Sequence, residues 1–478
     1  MAVTMGVIQV AFDADGAGAE ELTWGQLGIW RRTRQTGRTM NIVLTLPLDD
    51  GTPLVELVGM LRFLVSRHPV LRTRLRFGVD PAGARQRPQQ VVVASGEVPL
   101  HVVDVDGEGD DPAAAAEELH SRYERDRFDY EHEFPVRMGV VQRWGKPAYL
   151  VIGYSHVLLD GAGIRALGRD VQHFDRAGGA RGTATAPPPE APSVLEVARA
   201  QASPAGRRQS ARAVRHWATQ LDRLAAWQPP EPPRRREPRY WELVGYSPAM
   251  ELAMRVVAAR TGFGTTHVLM AAYSVAVARV FKRDPSVAQI VVGNRFRPGF
   301  ADLASQVSQD GICVVDVADA DFDEVVARAQ EAVTSASFAG YYDPDERDRM
   351  LAEAAARRGG RLDIEWHIND RRDKAGADSP EAPVPRAADV ARVLPLSRWY
   401  WGRKAPVFDG ALFLQVDSGP VLEERQHPDD VSPAVYLQIW TDTCSFQVTQ
   451  VETFAREMEA VVVAAALASE PGRPATLT

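Results

Sequence analysis

The sequence predicts an α/β protein built as more than one lobe. Three observations carry this. The 478 residues exceed one ordinary domain of about 100–200 residues. Helical periodicity and β-branched strand runs alternate in both halves of the chain. A Pro- and Arg-rich stretch, Ala177–Pro238, separates those halves.

Composition limits the function classes. The chain is 45% hydrophobic and 25% charged, which excludes a disordered or fibrous protein. Its net charge of −8 argues against a dedicated nucleic-acid binder, which carries a basic footprint. The two cysteines, Cys313 and Cys444, form no C-x-x-C pair, so neither a metal knuckle nor a disulfide framework is expected. No run approaches the ~18 apolar residues of a membrane span. Met1–Asp13 lacks the basic and apolar regions of a secretory signal. A cytoplasmic protein is expected.

The elements follow in order. Met40–Leu48 and Pro147–His156 read as strands. Thr52–His68 has helical spacing through Leu54, Leu57, Met60, Leu61 and Leu64, with Thr52 expected as its cap. The proline strings Ala186–Pro192 and Gln228–Pro238 are expected to be extended. Between them, Ser203–Trp227 predicts one amphipathic helix, with Ala211, Val214, Trp217, Leu221, Leu224 and Trp227 on its apolar stripe. Nine arginines crowd Arg207–Arg239. They read as a solvated connector face or a docking patch for an acidic partner. Ser247–Gly262 predicts a helix with Ser247 as cap and Pro248 as first residue. Thr266–Phe281 predicts a buried helix, Asp323–Ser337 and Val451–Ser469 two more. Val287–Phe296 and Gly311–Val317 predict strands. The expected division is 1–176, a connector 177–240, and 241–478.

The chemistry concentrates in Gly153–Phe174. A strand runs into His156, a short loop leads to Asp160 and Gly161, and a helix follows through Ile164, Leu167, Val171 and Phe174. For ten histidines, H-x-x-x-D-G arises by chance about 0.05 times per chain. Histidine titrates near neutrality, so His156 can accept a proton from an attacking amine or alcohol. A lone histidine at a strand end is ordinarily a satisfied core residue; Asp160 and Gly161 beside it weigh against that. Asp160 is expected to hold the loop by pairing with a distant arginine.

Several motifs occur in family order. Leu22–Trp30 reads LTWGQLGIW, Leu64–Leu75 reads LVSRHPVLRTRL, and Arg127–Val141 reads RFDYEHEFPVRMGVV. Tyr154–Gly163 reads YSHVLLDGAG, and Val291–Val317 supplies a glycine–arginine strand. Together they resemble the condensation-domain superfamily of nonribosomal peptide synthesis, which includes chloramphenicol acetyltransferase-like acyltransferases. The resemblance implies two chloramphenicol-acetyltransferase-like α/β lobes in a V-shaped pseudo-dimer with a central tunnel. It implies a condensation-type acyltransferase joining an acyl thioester to an amine or alcohol. No intrinsic cofactor is implied, and no metal. The acyl group arrives on the phosphopantetheine of an acyl or peptidyl carrier protein, or on CoA. With no carrier or adenylation segment beside it, the chain is expected to meet its carrier in trans.

The resemblance also assigns residues. His156 is the base or the orienter of the nucleophile. Gly161 permits close approach near the developing oxyanion, and Asp160 is structural, with Arg295 its expected partner across the lobes. Ser155 stands where most members carry a first histidine and is expected to support the loop. Val307–Ile312, VSQDGI, replaces the usual asparagine segment. Tyr154, Gln306, Ser308, Gln309 and Trp366 are expected along the substrate tunnel. The alternative reading is a non-catalytic domain that recruits a tailoring enzyme to a carrier-bound intermediate. The segment around Trp366, His367, Asn369 and Asp370 reads as a strand entering a polar turn. Trp399, Tyr400 and Trp401 read as aromatics that pack or that stack a substrate, with packing favoured, and Tyr341–Asp348 reads as a turn leading into a helix.

Overall fold

A computed structural model describes residues 4–78, 86–107, 111–188, 190–230, 234–360, 362–372, 383–419 and 433–468. Residues 1–3, Pro189, residues 231–233 and Ser469, which fall inside segments interpreted above, lie outside the described residues. The chain divides into two compact units, Met1–Gln209 with Gly293–Gln309, and Ser210–Val292 with Asp310–Thr478. The proline- and arginine-rich stretch is thus shared between the units, and a short segment of the second half is counted with the first.

The first unit opens with β1 (Thr4–Asp13), β2 (Gly18–Glu21), α1 (Trp24–Thr36), β3 (Ile42–Pro47) and α2 (Leu54–Arg67). It continues with β4 (Thr73–Arg76), β5 (Gln89–Val92), β6 (Ser95–Asp104), α3 (Pro112–Arg125) and β7 (Val136–Arg143). β8 (Lys146–Tyr154), α4 (Gly161–Asp170) and α5 (Val194–Ala202) complete it. Five strands form one sheet in the order β1-β6-β7-β8-β3, and β2-β5-β4 form a smaller one. β8 is antiparallel to both β7 and β3, and its last residue, Tyr154, pairs with Val136 and Ile42.

Both faces of the larger sheet are covered. Leu150, Ile152 and Tyr154 pack with the apolar residues of α2, while Val151 packs with Ala115, Leu119 and Tyr123 of α3. Side chains alternate across a strand, so a strand buried on both sides reads as a continuous apolar run. α2 starts later than expected. Pro53 occupies the cap position, and the Thr52 hydroxyl instead donates to the Asp49 carbonyl at 3.0 Å. Beyond the first proline string, Ser193 and Glu196 form a reciprocal capping box and start α5, a helix not among those expected.

One buried ion cluster ties α2 to the end of α4. Asp170 accepts from Arg67 Nε at 2.8 Å and Nη2 at 2.7 Å, and lies 2.9 Å from His68 Nε2. Arg67 also donates to the Ala186 and Pro187 carbonyls. Burial opposes the Asp170 charge, but the Arg67 and His68 hydrogen bonds outweigh it and hold the carboxyl well below its usual range. Because the folded-state value is depressed, this contribution is full above the unfolded value near 3.8 and is lost as pH falls below it. Removing one partner of a buried pair costs about 3–5 kcal/mol. Asp170→Ala is therefore expected to lower the unfolding midpoint strongly at pH 7, with the deficit shrinking below pH 4. A pH-independent deficit in denaturant melts would refute the charge account.

The second unit contains most of α6 (Pro204–Asp222), then β9 (Tyr240–Ser247), α7 (Pro248–Thr261), α8 (Thr265–Phe281) and β10 (Ser286–Val292). β11 (Gln309–Val315), α9 (Phe322–Ala339), α10 (Pro344–Arg357), β12 (Trp366–Asp370) and α11 (Ala387–Val393) follow. β13 (Arg398–Ala405), β14 (Leu412–Gly419), β15 (Ala434–Asp442) and α12 (Val448–Leu467) end it. The strand order is β11-β10-β12-β14-β15-β9-β13. Alternation again divides the faces: Ala288, Ile290 and Val292 of β10 enter the core with α8 and α12, while Val287 packs with Trp217 and Leu221 of α6. Ser247 caps α7 by accepting from Met250 N at 2.8 Å, with Pro248 first in the helix and Gly262 ending it. α6 ends at Asp222, so Trp227, expected on its stripe, lies beyond the helix. It packs edge-to-face on Trp366 instead.

Candidate active site

The site begins where β8 ends. Tyr154 closes the ladder, and the chain turns sharply: the Ser155 carbonyl accepts from the amides of both Leu158 and Leu159. Within this tight turn His156 Nδ1 lies 2.8 Å from the Leu159 carbonyl oxygen. A carbonyl can only accept, so Nδ1 carries the hydrogen. That fixes the tautomer and leaves the lone pair on Nε2. Burial lowers the His156 pKa below the usual 6.5, opposed by the Leu159 hydrogen bond and by Asp160 and aided by the charge of Arg32. At neutral pH the ring is a neutral base with a defined accepting nitrogen.

Both carboxylate oxygens of Asp160 are engaged in hydrogen bonds. Its carboxylate caps α4 by accepting from Gly163 N at 2.7 Å. It pairs with Arg295 Nη2 on the same oxygen. Its other oxygen accepts from Val307 N at 3.1 Å, Ser308 N at 3.2 Å and Ser308 Oγ at 2.8 Å. Arg295 also donates to the Ser305 carbonyl at 3.0 Å. Asn294, in the left-handed conformation at φ 57°, donates to the Val307 carbonyl at 2.9 Å. The Gln306 amide donates to Leu158 O at 2.8 Å. The Gly293–Gln309 segment is thereby fastened to the histidine loop, and Arg295 and Asp160 lie in the same unit.

The glycines of the motif differ in role. A Cβ on Gly163 would sit 2.9 Å from Ser305 N and 3.0 Å from Ser305 O, so backbone approach demands glycine there. A Cβ on Gly161 would meet only Arg165 Nη1, at 3.7 Å. Gly163→Ala is expected to destabilise by about 1–3 kcal/mol through overpacking. Gly161→Ala should fold with wild-type stability. Equal melting temperatures for the two variants would contradict this difference.

The remaining expected positions fall as follows. Ser155 is fully buried, and its hydroxyl reaches Tyr130 Oη only at 3.5 Å. Tyr154 packs in the core of the first unit. Gln306 is buried, with Nε2 donating to Ser308 O at 3.0 Å, and Ser308 spends its hydroxyl on Asp160. Gln309 is buried at the start of β11. Trp366, expected along the tunnel, is 2% exposed and packs against Trp227, Phe281 and Phe446 in the core of the second unit. Its size and the aromatic partners supplied by the end of α8 and by the segments after α6 and before α12 put it inside. Trp399 packs flat against Gly245, where a Cβ would lie 2.3 Å from the ring. Among the described residues no group of three His, Cys, Asp or Glu side chains is arranged to hold a metal, and no helix is long and apolar enough to cross a membrane.

A family model described as Condensation domain matches residues 29–346. The chain belongs to the condensation-domain family. Solved structures agree in fold. A condensation domain that mediates chain release from the enacyloxin polyketide synthase superposes with a TM-score of 0.67 at 17% identity, covering 98% of this chain and 86% of that one. The X-domain from teicoplanin biosynthesis gives 0.66 at 20% identity, covering 96% and 98%. A polyketide synthase–nonribosomal peptide synthetase of Pyricularia grisea is 24% identical over 154 residues, 32% of this chain and 4% of that protein. The chain therefore spans only a small part of the curated relatives it matches.

The quoted motifs contain His156, Asp160, Arg295 and Gly25, whereas other groups around them carry no sequence signal of their own. The Leu158 and Leu159 carbonyls act through backbone. Gly25, inside the first motif, is needed because a Cβ would lie 2.7 Å from the Gln306 carbonyl. Thr23 donates to that carbonyl at 3.4 Å. Arg32 acts on His156 from α1, over a hundred positions away. Only the fold brings these together.

Proposed function

We propose that this condensation-family chain is an acyltransferase that joins a carrier- or CoA-bound acyl thioester to an amine or alcohol, with His156 as general base. The observation that carries the reading is the Nδ1–Leu159 hydrogen bond, which leaves Nε2 free of its proton and able to accept one. The nucleophile's N–H or O–H gives its proton to Nε2 as the new bond forms to the thioester carbonyl. The tetrahedral intermediate then collapses, the carbon–sulfur bond breaks, and the thiolate leaves with that proton. Phosphopantetheine enters as the handle of the substrate and not as a resident group. Beside Gly161 the nearest group is the side-chain nitrogen Arg165 Nη1, at 3.7 Å from where a Cβ would sit, with no backbone in the way of an approaching carbonyl.

A second reading keeps the family and drops the chemistry: a recruiting domain for a tailoring enzyme. It draws on Ser155, a small buried residue where the family usually places a histidine. The two separate in one experiment. Acyl-pantetheine thioesters are incubated with the protein and amine or alcohol acceptors, and amide or ester products are read by mass spectrometry. Product formation that depends on His156 supports the enzyme. Product at the buffer rate overturns it.

A further inference from the structure

The nine arginines of Arg207–Arg239 do not act as one face. Arg207 donates to the Ala202 carbonyl and Arg223 to Asp316, so part of the set is spent on local structure. The last four are different. Arg234, Arg235, Arg236 and Arg239 are all exposed and lead directly into β9. β9 pairs antiparallel with β13, and β13 ends the seven-stranded sheet.

This pairing stacks charge on an indole. Arg236 Cζ lies 4.8 Å from the Trp241 ring centroid, and Lys404 Nζ of β13 lies 3.6 Å from it. Trp401 meets the same ring edge-on at 5.8 Å. Arg403, beside Lys404, pairs with Glu242 at 3.0 Å. Arg239 pairs with Asp442 at 2.7 Å, and Arg235 with Glu237. Among the described residues, the ion pairs of this patch involve Arg235, Arg239 and Arg403, and none involves Arg234, Arg236 or Lys404. Tyr400 stands 43% exposed on the same edge.

The patch is also rigid. Arg236 N donates to Thr443 Oγ1, Thr443 N donates to the Arg239 carbonyl, and Trp241 Nε1 donates to the Pro238 carbonyl. Blunting a sheet edge needs only a lysine on the strand. Here a second segment adds arginines, and an aromatic ring holds two cations in place, in a chain whose net charge is −8. A fixed positive surface with an exposed aromatic suits an acidic protein face, since preorganised charge loses little freedom on binding.

We infer that the Arg234–Arg236 segment and the Trp401–Lys404 edge of β13 form a docking surface for the acidic face of a carrier protein. This rests on the acyl-transfer reading for the identity of the partner, and the experiment separates the two. The probe is an acidic acyl carrier protein bearing a fluorescent pantetheine, titrated at about 0.05 M and about 0.3 M NaCl, where screening differs strongly. Wild type is expected to bind at low salt, and Arg236→Glu with Lys404→Glu to weaken binding by about tenfold or more. Turnover of a free acyl-pantetheine, which makes no use of the patch, should be unchanged in the double variant. Equal binding by wild type and variant overturns the surface, as does no binding by wild type. Salt-sensitive binding of duplex DNA as tight as that of the carrier protein overturns the choice of partner. Loss of free-thioester turnover in wild type itself would strike the acyl-transfer reading and leave the binding result standing.

Discussion

His156→Ala is expected to reduce kcat by about 10²–10⁴, the range a positioned general base supplies. The pH profile gives the sharper result. Burial lowers the imidazole pKa, so Nε2 is deprotonated over more of the acid range than a free histidine would be. The acid limb of kcat/KM should therefore fall below pH 6.5, with activity lost as pH drops through it. The shift has a matching effect on folding: the unfolded chain binds this proton more readily, so stability contributed here is lost as pH falls below 6.5. Steady-state rates between pH 5 and 8 on wild type, with His156→Ala at pH 8, test both parts. An acid limb above 6.5, or undiminished product from the alanine variant, removes His156 from the base role and favours the recruiting domain.

Asp160→Ala is expected to cost about 3–5 kcal/mol of stability, because it strands the Arg295 charge and unsatisfies the other donors around it. Five hydrogen bonds end on this one carboxylate, two of them from the backbone of Val307 and Ser308. The loss should be local as well as global. Hydrogen exchange at the Val307 and Ser308 amides should accelerate before the rest of the first unit opens. Arg295→Ala should cost less, about 1–3 kcal/mol, since the carboxylate keeps its remaining donors. Unchanged melting and unchanged exchange in both variants would mean Asp160 does not hold the loop.

Much of this was open to reading from the sequence. Periodicity located the helices at Pro248–Thr261, Thr265–Phe281 and Phe322–Ala339 because apolar faces must be buried, and Ser247 and Gly262 mark the two ends of the first of them as caps. The H-x-x-x-D-G junction followed from local chemistry: His156 and the capping Asp160 lie between the end of β8 at Tyr154 and the start of α4 at Gly161. Thr52 misled because a hydroxyl before a proline has a competing local acceptor in Asp49.

The tertiary structure decided what sequence spacing does not encode. Trp366 has the composition of a substrate-stacking residue, yet apolar burial against Trp227, Phe281 and Phe446 places it in the core. Gly163 and Gly25 look like any other glycines until Ser305 and Gln306 approach their α-carbons. The proton on His156 Nδ1 is set by a backbone carbonyl, which no side-chain pattern reveals. The sequence determined which groups can carry charge, donate protons and bury area. The fold decided which of them meet, because contacts between distant segments depend on backbone geometry: Asp160 with Arg295, Val307 and Ser308 in one unit, Trp241 with Arg236 and Lys404 in the other.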